Sequence, residues 1–137
     1  MRKHLILPLL VGLLWLMPET LSAAERTYNI LFIQSYTKQT PWHKELTVGL
    51  KDGLEKGGVK VNIVTEYLNA DYWAFASECL IMRRICERAR QRKTDLIVTS
   101  SDEAFFTLTH CGDSLPFQLP VVVSGIKYPD ESLFKRM

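Results

Sequence analysis

Short apolar runs alternate with longer amphipathic segments from residue 28 onward, and this alternation constrains the fold more than any other feature of the chain. The runs lie at residues 28–34, 59–65, 95–99 and 120–124. Each predicts a β-strand, and three of them are apolar enough for a strand that is buried on both faces. The second run alternates apolar and polar side chains, which is typical of a strand near the edge of a sheet.

Three helices are predicted between these strands, over residues 41–56, 74–92 and 100–109. Thr40 can cap the first helix, and Pro41 suits a first turn that needs no intrahelical N–H. Gly57 predicts where this helix ends. Ser100 and Glu103 have the spacing of a capping box at the start of the third helix.

The second predicted helix has two contrasting faces. One face carries an apolar stripe of Phe75, Cys79, Met82, Ile85 or Cys86, and Ala89. The other face carries five arginines, namely Arg83, Arg84, Arg88, Arg90 and Arg92. Because charge runs on helices usually face solvent, we favour a solvated surface over a basic docking surface.

The order β-α-β-α-β-α-β with short loops predicts an α/β fold. Right-handed crossovers turn this order into an open parallel sheet with helices on both faces, a Rossmann-like three-layer arrangement. The expected strand order is 2-1-3-4, with the direction of winding reversing between strands one and three.

The first 24 residues have the features of a secretory signal peptide. Arg2, Lys3 and His4 precede an apolar run over residues 5–17, and small residues follow up to Ala24. This run is shorter than the roughly 20 residues that span a bilayer. We therefore predict cleavage after Ala24 and a periplasmic or extracytoplasmic product, with an uncleaved membrane anchor as the alternative.

Residues 25–137 amount to one domain of ordinary size, since 113 residues remain of the 137. Without the leader, 15 basic and 14 acidic residues remain of the chain's 17 and 15. This balance favours neither nucleic acid nor an anionic membrane surface as a partner.

Three cysteines, Cys79, Cys86 and Cys111, leave at least one unpaired in an exported chain. Cys79 and Cys86 are about 10 Å apart along one helix, too far for a disulfide. Either could pair with Cys111, but we favour small buried hydrophobic side chains. His43 and His110 stand alone and no CxxC pair occurs, so we expect no metal site.

Polar and aromatic residues follow three of the predicted strands at the edge where ligands bind in open α/β sheets. The candidate ligand-binding residues are Ser35, Tyr36, Trp42, Ser100, Ser101, Asp102, Ser124 and Gly125. Hydroxyls, helix N–H groups, a carboxylate and aromatic rings together suit a small-molecule pocket. Alternatively, the Ser100–Ser101 pair only caps a helix, Asp102 only complements the helix dipole, and Trp42 packs on the sheet.

Catalytic and cofactor motifs are lacking in the sequence. We find no GxSxG elbow, no GxxxxGK[ST] phosphate loop and no GxGxxG, so we expect no catalytic residue and no cofactor. The loop at residues 35–40 lacks the glycine of a flavodoxin phosphate loop. The acidic cluster of a response-regulator receiver is replaced by Gln34 and Ser35.

Three segments carry a resemblance to a known family: ILFIQSYTKQTPWHKELTVGLKDGL, DLIVTSSDEAF and LPVVVSGIKYP. They resemble the N-terminal lobe of periplasmic binding protein-like domains of the ABC transporter substrate-binding protein family. The resemblance is greatest to the extracytoplasmic sensors of bacterial two-component hybrid histidine kinases. It covers residues 28–130, and its most specific part is Ser35, Tyr36, Pro41 and Trp42.

This resemblance implies a type I periplasmic-binding-protein fold whose two lobes close on a small ligand. It implies that Ser35, Tyr36, Trp42, Asp102, Ser124 and Gly125 line the first-lobe side of the cleft. One departure is Lys127, where an asparagine would be expected after the Gly-Ile pair. The second lobe, the transmembrane helix and the kinase are not in this sequence, and we expect them as the missing partners.

Three hypotheses follow for the function. The first is an exported, non-catalytic solute-binding or sensor lobe that binds a small molecule by cleft closure. The second is half of an exported α/β enzyme, such as a hydrolase or reductase. The third is a non-functional truncated remnant.

Overall fold

A computed structural model of the chain describes residues 26–71, 75–111 and 119–127, and its centre is a four-stranded parallel sheet. The strands are β1 (Thr27–Gln34), β2 (Lys60–Tyr67), β3 (Leu96–Ser100) and β4 (Val121–Ser124). Their order is β2-β1-β3-β4, and all three pairings are parallel. The predicted α/β class and strand order are therefore confirmed.

Three helices connect the strands: α1 (Pro41–Lys56), α2 (Phe75–Gln91) and α3 (Ser101–Cys111). Thr40 is the residue before α1 and Pro41 begins it, as predicted, although the Thr40 side chain makes no capping hydrogen bond. β2 extends two residues past its predicted end because Glu66 and Tyr67 still pair with the last residues of β1.

One face of the sheet carries the main hydrophobic core, beneath α2 and α3. Leu31, Ile33 and Ile97 project from β1 and β3 and are almost fully buried. They pack against side chains of the two helices, including Met82, Ile85, Cys86, Ala89, Ala104 and Leu108. Fully burying one such large aliphatic side chain contributes about 1.5–3 kcal/mol, and among the described residues this face buries more of them than the opposite face does.

The opposite face has a smaller core beneath α1. Ile30, Phe32 and Val98 are buried there, whereas Leu50 and Leu54 of the helix are only partly buried against them. Leu46, one turn before Leu50 on the same helix, is 37% exposed. The three-layer arrangement is present, but α1 is packed more loosely than α2 and α3.

Two of the five arginines predicted on this helix, Arg88 in α2 and Arg92 just after it, form an ion-pair cluster with the edge strand β2. Arg88 binds both carboxylate oxygens of Glu66 at 3.0 and 2.9 Å, and Arg92 donates to the same carboxylate at 3.1 Å. Arg83, Arg84 and Arg90 are exposed. The prediction of a solvated face therefore holds for these three arginines. Arg88 and Arg92 are instead paired with Glu66 of β2.

A disulfide joins Cys79 of α2 to Cys111 of α3, and Cys86 is free and buried. Our preference for small buried hydrophobic side chains is therefore wrong for Cys79 and Cys111 and confirmed for Cys86. The two helices pack side by side on one face, which brings the two Cα atoms to 5.1 Å. This is an ordinary separation for a disulfide, and helix spacing along the sequence could not reveal it.

The leader over residues 1–24 and its cleavage site lie outside the described residues, as does the segment after Lys127. Among the helices that the structure describes, none is both long enough and apolar enough to span a bilayer.

Candidate functional site

A cleft of about 810 Å³ opens at the carboxyl edge of the sheet. The loop after β1, the start of α3 and the loop after β4 meet there, as parallel strand ends at a reversal of winding should. Five of the eight predicted site residues line this cleft: Tyr36, Trp42, Ser101, Asp102 and Gly125. The volume is within the range of small-molecule sites.

The other three predicted site residues do not line the cleft. Ser35 and Ser100 are buried, with 0% and 3% of their surface exposed. Ser124 is exposed at the end of β4 but lies outside the cleft wall.

Ser35 holds two chain segments together beneath the cleft. Its hydroxyl donates to the carbonyl oxygen of Ser100 at 2.6 Å and accepts from the amide of Ala104 at 2.9 Å. It thus satisfies an N–H in the first turn of α3, the role that a capping residue usually has. Here the capping hydroxyl comes from a different strand, 69 residues away in the sequence.

Ser100 ends β3 and stands immediately before α3, which is the position of the predicted capping box. The box itself does not form, because Glu103 Oε1 accepts from Tyr36 and Glu103 Oε2 has no partner. Ser101 has a φ of 72°, a left-handed conformation that is uncommon for a residue with a side chain. Such strained residues are found most often at ligand and active sites.

Glu103 instead contacts Tyr36 across the cleft. The Tyr36 hydroxyl donates to Glu103 Oε1 at 2.8 Å, while Glu103 Oε2 is buried and has no hydrogen-bond partner. Burial of the phenol, with this carboxylate next in importance, raises the pKa of Tyr36 to about 12. Asp71 and Asp102 add to that increase because both place negative charge near the phenol.

Asp102 fixes the loop that follows β4. Its two carboxylate oxygens accept from the backbone amide of Lys127 at 3.1 and 3.2 Å. Gly125 is the first residue of this loop, and its φ of 69° is a conformation that would be strained in a residue with a side chain. Lys127 thus uses its backbone amide to hold the β4 loop against α3.

Trp42 forms one wall of the cleft and is 51% exposed. Its ring meets the Tyr36 ring edge-on, with centroids 6.5 Å apart and planes at 86°. Of the two roles we considered for Trp42, a ring at a binding surface fits this geometry better than a ring packed on the sheet.

His43 is a buried group for which the sequence alone indicates no role. The rings of Tyr36, Trp42 and Tyr67 surround it at centroid distances of 6.1, 6.0 and 6.0 Å. Its Nδ1 lies 2.9 Å from the carbonyl of Thr37, whereas its Nε2 is buried without a partner. Burial lowers the pKa of His43, which favours the neutral form of the ring.

Gln34 connects His43 to the end of β1. Its side-chain amide donates to the His43 carbonyl at 3.1 Å and to the Thr47 hydroxyl at 2.9 Å. A buried glutamine before Ser35 therefore anchors α1, just as Ser35 anchors α3. The sequence shows a polar residue at the end of an apolar strand, which could have pointed to Gln34. Its hydrogen-bond partners could not be found in the same way, because they depend on how α1 packs.

Asp71 and Glu103 also line the cleft and were not predicted. Asp71 follows β2, whose carboxyl end lies at the same sheet edge as that of β1. Two backbone bonds bring this segment close: Leu68 donates to the Gln34 carbonyl and Ala70 to the Ser35 carbonyl, both at 2.8 Å. Extending the strand-end argument to the second strand would have found Asp71.

Within the described part of the chain, no group of three or more histidine, cysteine or acidic side chains is arranged to hold a metal ion. The cleft offers carboxylates, hydroxyls, backbone amides and two aromatic rings, which can bind a small molecule by polar contacts and stacking. Comparisons with protein-family models, with curated proteins and with solved structures found no match.

Proposed function

We propose that this chain is an exported small-molecule-binding lobe and that its ligand occupies the cleft at the carboxyl edge of the sheet. The observation that carries the proposal is the convergence of three separate loops on one cleft of about 810 Å³. A half-exposed Trp42 ring and polar groups of Ser101 and Asp102 face the same space. Such a set of one apolar surface and a few fixed polar groups is typical of binding pockets.

The family resemblance makes this proposal more specific. In that interpretation the chain is the first lobe of a solute-binding or sensor domain of the periplasmic binding protein-like type, and a second lobe closes over Trp42. Ligand binding then favours the closed form by the difference in its affinity for the two forms. The output would be delivery to an ABC transporter or signalling through a two-component histidine kinase.

The cleft is tested by a thermal-shift screen of the secreted protein against amino acids, sugars, nucleosides, carboxylates and amines, followed by calorimetric titration. We expect at least one class to bind with an affinity that Trp42→Ala weakens tenfold or more, because the ring supplies the largest apolar surface of the cleft. Val48→Ala is the matched control, since Val48 is an exposed apolar residue of the same helix that does not line the cleft.

Binding that survives Trp42→Ala unchanged would place the ligand elsewhere and refute this cleft. The absence of binding by every class in the screen would argue against the binding function itself.

Export is tested by sequencing the N-terminus of the secreted protein. We expect a mature terminus near Glu25, because small residues at Ser22 and Ala24 suit signal-peptide cleavage. An intact Met1 recovered from the membrane fraction would favour the uncleaved anchor.

A further inference from the structure

We propose that the ligand of this cleft is a small organic cation, an amine or a quaternary ammonium compound, that packs against Trp42 and Tyr36. This inference rests on the proposed binding function and adds the chemical class of the ligand. It is carried by the charges and the aromatic geometry of the cleft wall.

The cleft is acidic although the exported part of the chain is slightly basic. Asp71, Asp102 and Glu103 contribute three carboxylates to its wall, whereas Lys127 is the single basic residue among the described residues that line it. The whole chain has 17 basic and 15 acidic residues, and without the leader 15 basic and 14 acidic residues remain. The negative charge is therefore concentrated at the cleft, where it attracts cations.

The carboxylate of Glu103 is incompletely neutralised. Oε1 accepts a single hydrogen bond from Tyr36, and Oε2 is enclosed by protein without a partner. A buried carboxylate oxygen normally has a donor, because loss of hydration without a replacement is costly. A cationic group in the cleft would supply the missing favourable interaction by charge attraction, without requiring direct contact with Oε2.

The aromatic rings suit the same ligand. Trp42 and Tyr36 stand nearly perpendicular, at 86°, and form a corner in the cleft wall. Indole and phenol rings attract a cation held over their faces, and such aromatic surfaces are used to recognise quaternary ammonium groups. A neutral ligand would gain the stacking but not this electrostatic attraction.

The start of α3 argues against an anion. Free N–H groups and the helix dipole normally attract negative charge to such a position. Here Asp102 and Glu103 occupy the first turn and already provide two negative charges. An incoming carboxylate or phosphate would meet like charges at short range.

The experiment compares ligands that differ only in charge. Calorimetric titration of the secreted protein would use choline against its uncharged carbon analogue 3,3-dimethylbutanol, and putrescine against butanediol and succinate. We expect at least one cation to bind tenfold or more tightly than its neutral partner, and succinate to bind weakest. Raising the salt concentration should weaken cation binding.

Charge variants assign the preference to the cleft. Glu103→Gln and Asp71→Asn should each reduce the affinity for the cation about fivefold. Each should also lower the ratio of the cation's affinity to that of its neutral analogue. Asp52→Asn, an exposed acidic residue of α1 outside the cleft, should change neither value. Circular dichroism of each variant confirms that the fold is retained.

The outcomes separate the two proposals. Tighter binding of the neutral or anionic analogue, lost in Trp42→Ala, would overturn the cation inference and leave the binding cleft intact. A cation preference unaffected by both Glu103→Gln and Asp71→Asn would also overturn it. Binding of all probes that is independent of Trp42, or no binding at all, would count against the proposed function as well.

Discussion

Replacing Ser35 by alanine tests whether the cleft is built on a bridge between β1 and α3. The hydroxyl is fully buried and donates to the Ser100 carbonyl at 2.6 Å while accepting from the Ala104 amide at 2.9 Å. Alanine removes both bonds without adding volume. The Ala104 N–H and the Ser100 carbonyl are then left in a site that water does not reach.

The magnitude follows from these two groups. A buried polar group that loses its partner costs about 1–3 kcal/mol. Loss of a capping hydroxyl measured by alanine substitution costs about 0.5–2 kcal/mol. Because the first turn of α3 can adjust and recover part of the loss, we expect Ser35→Ala to lower the free energy of unfolding by about 2 kcal/mol.

Urea unfolding followed by far-ultraviolet circular dichroism measures this difference. With a slope of about 1–3 kcal/mol per molar urea, the midpoint should fall by roughly 0.7–2 M. Thr109→Ala is a matched control, because its hydroxyl donates to a backbone carbonyl of the same helix at an exposed position. Its effect should remain within about 0.5 kcal/mol.

Hydrogen exchange distinguishes loss of the bridge from a general loss of stability. The Ala104 amide should exchange faster in Ser35→Ala even when compared at equal global stability. A destabilisation below about 0.5 kcal/mol, or unchanged protection of that amide, would refute the bridge.

Two further predictions concern pH and redox state. Since burial lowers the pKa of His43 below its ordinary 6.5, the unfolded state takes up a proton first on acidification, and stability should fall as pH drops below about 6.5. Urea unfolding at several pH values should show this slope in the wild type and not in His43→Gln. Reducing the Cys79–Cys111 disulfide, whose cysteines lie 32 residues apart, should lower the free energy of unfolding by about 3–4 kcal/mol. Urea unfolding of the wild type and of Cys79→Ser, each with and without reductant, measures this loss. An equal effect of the reductant on the unfolding free energy of both proteins would contradict the prediction.

The sheet could be predicted because it depends on properties that are written locally in the sequence. Apolar runs of strand length, helical spacing between them and the right-handed crossover rule leave few possible topologies. The start of α1 at Pro41 follows from its local chemistry, as does its end before Gly57. These features need no knowledge of which helices are neighbours.

The disulfide and the supports of the cleft could not be predicted in the same way. Cys79 meets Cys111 only because α2 and α3 pack side by side. Ser35 reaches Ala104, and Tyr36 reaches Glu103, only once β1 and β3 are adjacent. The sequence identifies polar residues at strand ends, but whether each faces the cleft or supports it is decided by three-dimensional contacts.

The three residues that end β1 and begin its loop differ sharply in role, and this difference explains how the cleft keeps its shape. Gln34 and Ser35 are fully buried, and their side chains bind backbone groups of α1 and α3 respectively. The next residue, Tyr36, lines the cleft and contacts Glu103. Side chains outside the cleft wall thus fix the two helices on which Trp42 and Glu103 lie. If the cleft is the binding site proposed above, such support holds its surface in one geometry before a ligand arrives.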